Sequence, residues 1–163
     1  MADIPLNMSV PLIEQVKIQA RVLIPVVKAV QAELGEERAN EVVRSALDAA
    51  SRKSGETVNS TMKGSPVEKI AAAFPFAAAA DALDLEIITE TPEAFECNVT
   101  GCRYADFFKE LGEPELGFLF SCSGDWAMAE GLSPNLELTR TQTIMQGAPH
   151  CDFRYRLKEA RSS

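Results

Sequence analysis

The sequence predicts an α+β fold, with N-terminal helices packed against a small antiparallel sheet and two further helices between the strand pairs. Three observations carry this expectation. Apolar residues recur at helical spacing through the first half of the chain, the period switches to alternation near Leu83, and the alternating segments come in two pairs separated by helical stretches. The 163 residues suffice for one domain, able to bury about 70% of the surface its unfolded form exposes. Residues 1–82 are expected to be mainly helical, and residues 83–158 to hold the strands and two helices.

In the first helix, Ile13, Val16, Ala20, Leu23, Val27, Val30 and Leu34 follow alternating steps of three and four. Pro25 lies off this seam and predicts a kink, because proline removes a backbone donor and crowds the preceding turn. The seam either packs on the protein's own core or forms a homo-oligomer interface. A second amphipathic helix follows through Ala39, Val42, Val43, Ala46, Leu47 and Ala50, and Gly55 after Arg52 and Lys53 reads as its stop. The polar stretch "GETVNSTMKGS" then reads as a loop or lid. "SPVEK" is a capping box with Ser65 as N-cap, Pro66 at the first helical position and Glu68 at the third. It opens an alanine-rich helix that kinks or restarts at Pro75.

"LDLEIITE" places Leu83, Leu85 and Ile87 on one face, and "AFECNVT" does the same for Phe95, Cys97 and Val99, with "TPE" between them as a hairpin turn. A short helix from about Arg103 to Leu111 and a longer one from about Pro114 to Glu130 follow. Two strands end the chain, "LELTRTQTIM" from Leu136 and "CDFRYRL" from Cys151.

Composition excludes several function classes. A net charge of −8 without a basic stripe argues against nucleic-acid binding. The apolar runs are too short to span a bilayer. "MADIPLNMSV" lacks a basic region followed by an apolar one, so the expected location is cytoplasmic, and the glycosylation-like triplets at Asn59 and Asn98 carry no weight. Four cysteines, Cys97, Cys102, Cys122 and Cys151, are then expected as free thiols, and their spacing matches no standard zinc pattern.

The chemistry-bearing residues lie in the second half. Cys122 and Asp125 stand one turn apart within "FLFSCSGDWAMAEG", next to Gly124, whose missing side chain suggests a close approach. The plain alternative is a small buried cysteine with an aspartate at the solvent edge. Cys102 precedes a helix, where free amides and the helix dipole favour a thiolate, with Arg103 beside it acting the same way. On the Leu136 strand, Arg140 shares the apolar face with Leu138 and Ile144, so it needs a carboxylate partner, either Asp125 or a ligand. Cys151 points inward with Phe153 and Tyr155, Cys97 reads as packing, and His150 is the only histidine, which rules out a two-histidine metal site.

Together "GCRYADFFKELGEPELGFLFSCSGDWAMAEGL" and "LELTRTQTIMQGAPHCDFRY" resemble the L-2-amino-thiazoline-4-carboxylic acid hydrolase family. The resemblance runs from about Gly101 to Tyr155 through Cys102, the Cys122-x-x-Asp125 step, the strand with Arg140, and Gly147-x3-Cys151-Asp152-Phe153. It implies a ring-opening hydrolase of a small cyclic amidine or isothiourea bearing a carboxylate. For 2-amino-thiazoline-4-carboxylate the product is N-carbamoyl-L-cysteine. Under this reading Asp125 is the general acid and base, Cys122 or Cys102 the nucleophile, and Arg140, Cys151 and Trp126 contact the substrate, Arg140 through its carboxylate. No cofactor is expected. If Cys102, Cys122, Cys151 and Asp125 converged on one point, zinc and its bound water would replace the thiol. The competing class is a non-catalytic module that binds a small ligand or senses oxidants or metal through its thiols.

Overall fold

The computed structural model describes residues 10–158, so the opening segment on which the cytoplasmic expectation rests lies outside the described residues. Six α-helices and four strands follow in the order α1 (Leu12–Leu34), α2 (Glu36–Thr61), α3 (Pro66–Ala79), β1 (Leu83–Glu90), β2 (Ala94–Cys102), α4 (Arg103–Glu110), α5 (Pro114–Ser121), α6 (Asp125–Leu132), β3 (Leu136–Thr139) and β4 (Cys151–Leu157). The sheet has the order β1-β2-β4-β3 and every neighbouring pair is antiparallel. The α+β class therefore holds. The second of the two helices expected between the strand pairs is split into α5 and α6.

Register builds the inner face of the sheet. Phe95 pairs with Tyr155, Cys97 with Phe153 and Val99 with Cys151, and Leu138 reaches Tyr155 from the other side. All of these residues are buried. Alternation along a strand sends Glu96, Asn98, Asp152, Arg154 and Arg156 to the opposite, polar face. In β1 the alternation fails after Leu85. Register shifts flank Leu85 and Ile87, and Ile87 and Ile88 are both exposed, so Ile87 does not join the inner face as expected.

The α1 seam packs inside the chain. Ala20 and Val27 are buried against α4 and α5 residues, including Phe108 and Leu119, and the helix continues through Pro25. An oligomer interface on α1 would have to use the opposite face, where Ile18, Val22 and Val26 are exposed.

Gly55 does not stop α2, which runs on to Thr61 and absorbs most of the stretch expected as a loop. From Ser54 onward its hydroxyls are satisfied within the helix, Ser54 donating to Ala50 O and Thr57 to Lys53 O. The buried Lys69 of α3 donates to both the carbonyl and the side chain of Asn59, closing the far end. Glycine serves contact here. A Cβ on Gly55 would stand 2.7 Å from Leu132 N and 2.9 Å from Gly131 C, and one on Gly131 would stand 2.8 Å from Arg52 C. The backbones of α2 and α6 thus touch with no side chain between them. Gly124 follows the same logic, its Cβ position lying 3.1 Å from Ser51 Cβ.

The capping box at Ser65 and Glu68 forms as expected and starts α3, which lies over β1, β2 and β4. Helix propensity alone predicts that Gly55→Ala stabilises the protein by about 1 kcal/mol. The backbone contact reverses the sign, with an expected loss of about 1–3 kcal/mol in urea denaturation. A stabilised Gly55→Ala variant would refute the close helix crossing.

Candidate functional site

The chain between α5 and α6 breaks at Cys122, Ser123 and Gly124, so Cys122 and Asp125 do not share one helix face as expected. Cys122 caps the end of α5 and Asp125 is the first residue of α6. The break turns the Cys122 carbonyl and the Asp125 carboxylate toward the same partner. Arg140 donates to Asp125 Oδ2 and, at 3.1 Å, to Cys122 O. Its side chain is only 1% exposed. The rings of Trp126, Phe153 and Phe118 stand 4.5, 5.2 and 5.8 Å from the guanidinium carbon, a set of cation–π contacts that adds to the charge pairing. The question left open by the sequence is thus answered in this structure, where the partner of Arg140 is Asp125.

Arg140 is not within a strand. β3 ends at Thr139, and the following residues leave the sheet because Asp152 captures them. Its carboxylate accepts from the Thr141 and Gln142 amides, both at 2.9 Å, and from the Thr141 hydroxyl at 2.6 Å. Burial opposes the charge on Asp152, but these donors outweigh it and hold its pKa below the usual carboxylate value. Sequence reasoning saw Asp152 only as part of a motif and missed this positioning role. The Asp-for-amide exchange joins residues 11 and 10 positions apart and leaves no periodic trace.

Asp125, Arg140, Cys102, Cys122 and Cys151 all line one cleft of about 260 Å³. Trp126 does not line it, and lies over Arg140 instead. The remaining wall was not anticipated and is mostly carbon, including Ile70 and Phe74 of α3 and Val99 of β2. Tyr104 and Tyr155 also reach the cleft, and the Tyr155 hydroxyl makes no hydrogen bond among the described residues.

This setting governs the ionisable groups. Asp125 keeps 30% of its side-chain surface open, toward the cleft, yet the surrounding protein withholds enough water to raise its pKa to about 6 despite the opposing Arg140. Burial also raises the Cys122 thiol well above its ordinary value, with the Asp125 charge adding to the effect. The expectation of a low-pKa Cys102 fails. Burial outweighs the amides of Ala105 and Tyr104 and raises its pKa. Arg103 gives no help, since it turns away to pair with Asp84 at 2.8 Å and Asp81 at 3.3 Å. Cys151 accepts from the Ile144 amide at 3.2 Å, but burial still raises its pKa, and Cys97 is pushed up to about 12 outside the cleft. Among the described residues no group of three or more His, Cys, Asp or Glu side chains is placed to hold a metal ion, so the convergence required for a zinc site is not present there.

Removing one partner of a buried ion pair strands the other. Arg140→Met is expected to cost about 3–5 kcal/mol at pH 8, where Asp125 carries its charge. At pH 5 Asp125 holds a proton and the loss shrinks. Urea denaturation at the two pH values checks this, and an equal loss at both would show that Asp125 is not the dependent group.

The crystal structure of the phenol-responsive sensory domain of the transcription activator PoxR, with phenol, has a similar fold, with a TM-score of 0.54 at 12% identity over 83% of this chain and 72% of that one. No curated protein matches the chain in sequence. The model of the L-2-amino-thiazoline-4-carboxylic acid hydrolase family matches residues 15–155, extending the resemblance from the cysteine-rich half through the N-terminal helices. The chain belongs to the L-2-amino-thiazoline-4-carboxylic acid hydrolase family.

Proposed function

We propose that the protein is a ring-opening hydrolase of a small cyclic amidine or isothiourea of the 2-amino-thiazoline-4-carboxylate kind, in which Asp125 activates water. The observation that carries this reading is a carboxylate raised to about 6 inside a cleft that can take one ring. A general base works best with a pKa near the operating pH. Family membership supports hydrolysis as the reaction class.

The attack is assigned to water rather than to a thiolate. Burial keeps Cys122 and Cys102 as neutral thiols, whereas nucleophilic catalysis by cysteine requires the thiolate. In the proposed reaction the water oxygen bonds to the ring carbon between sulfur and nitrogen. Asp125 takes a proton from the water and passes it to the ring nitrogen. It then takes the hydroxyl proton as the carbonyl forms and delivers it to sulfur, which leaves with the electron pair of the broken carbon–sulfur bond. Arg140 serves the substrate carboxylate by exchanging one carboxylate partner for another. That exchange leaves Asp125 without its counter-ion and so strengthens it as a base. Cys151 forms part of the cleft wall, and Trp126 steadies the guanidinium from outside.

A second reading, a non-catalytic binder of a small ligand, is favoured by the largely apolar wall and by the likeness in fold to a sensory domain. It predicts binding without product.

Because the base must be ionised, kcat/KM should rise with pH through about 6 and level off above it. Asp125→Asn should lose about 10²- to 10⁴-fold in turnover and with it that limb of the profile, while Cys122→Ser and Cys102→Ser keep the profile. Product heavier by one water, read by mass spectrometry across pH 4.5–9, checks this. Loss of turnover in Cys122→Ser with Asp125→Asn still active would return the attack to the thiol.

A further inference from the structure

One helix, α3, lines the cleft with carbon alone, and this bears on what the cleft holds beyond the reacting ring. Cys102, Cys122, Asp125, Arg140 and Cys151 come from the end of β2, the α5–α6 break, the segment after β3 and the start of β4. α3 gives the cleft no polar side chain and lines it with Ile70, Ala73, Phe74 and Ala77, next to Leu83 of β1. The four α3 residues are spaced i, i+3, i+4 and i+7 and so form one continuous face of the helix. That face is fixed in place. The Phe74 ring lies 4.9 Å from Phe153, 5.6 Å from Phe95 and 6.0 Å from Tyr155.

An apolar cavity of about 150 Å³ accommodates benzene. At the same space per atom, the cleft of about 260 Å³ takes about ten non-hydrogen atoms. 2-Amino-thiazoline-4-carboxylate nearly fills that volume, so a substituent longer than one carbon continues through the mouth, and its amino group, ring nitrogen, sulfur and carboxylate place polar atoms around most of its edge. Turning any of these toward the α3 face would strip it of water without a hydrogen bond in return. The cleft also does not close at this end. Ala73 lines it and is nevertheless exposed, so the mouth lies beside α3.

We propose, building on the hydrolase reading, that the preferred substrate is a ring with its polar edge toward Asp125 and Arg140 and an apolar substituent on the opposite side. The substituent runs along α3 past Ile70, Phe74 and Ala77 to the mouth. Ala73 and Ala77 act as specificity-determining residues because their short side chains leave the space it occupies.

The test is a series of 2-amino-thiazoline-4-carboxylates carrying hydrogen, methyl, ethyl or propyl at ring carbon 5. Each added methylene should raise kcat/KM about three- to fourfold, and Ala77→Phe should bring the propyl-to-hydrogen ratio close to one. A flat or falling series from an enzyme that opens the unsubstituted ring would overturn the inference and leave the hydrolase reading intact. If no member is opened, the hydrolase reading fails, and calorimetric binding of the same series decides the inference. Affinity rising with chain length supports it, and absent or unchanged binding overturns it.

Discussion

The ion pair between Asp125 and Arg140 is the constraint around which the second half of the chain is arranged. A guanidinium with 1% of its side chain exposed needs both a counter-charge and acceptors for its remaining donors. The break between α5 and α6 supplies both, since it sets the Cys122 carbonyl and the Asp125 carboxylate side by side. The position of Arg140 depends in turn on Asp152, which draws the chain out of the sheet directly after β3. Beyond the break α6 seats closely on α2, which glycines at 55, 124 and 131 permit.

Chemistry follows from the same burial. Withholding water acts in one direction on every acidic group in the cleft, so the thiols stay protonated while the carboxylate moves into the range of a working base. The structure therefore separates two roles that the sequence had joined. Cys122 contributes its backbone carbonyl to Arg140 and its thiol to the wall, and the titrating group is Asp125. The neighbouring rings make the arginine compatible with an apolar setting, and its pairing with Asp125 leaves a site that a substrate carboxylate would enter by exchange.

Much of this was legible beforehand because it rests on period and local caps. The inner faces of β2 and β4, the capping box at Ser65 and the a/d seam of α1 could all be read from spacing. So could the need of Arg140 for a carboxylate, since an arginine among apolar positions has few other solutions. What escaped depends on contacts between distant segments. Gly55 looked like a helix stop because glycine usually is one, and only the approach of α6 reveals a crossing point. Cys102 looked activated because its local position favours a thiolate, whereas it packs against the cores that hold Ile70, Cys151 and Phe108. The α3 wall gave no signal at all, because an alanine-rich face is the same in sequence whether it meets a core or a ligand.

The most direct test of the account is the ionisation of Asp125 itself, followed by the carboxyl carbon resonance of the labelled protein between pH 3 and 9. A midpoint of about 6 is predicted, moving upward in Arg140→Met as the opposing charge is removed. A midpoint at or below the ordinary aspartate value of about 4 would mean that the cleft leaves this carboxylate an ordinary surface acid, and would contradict its assignment as the base.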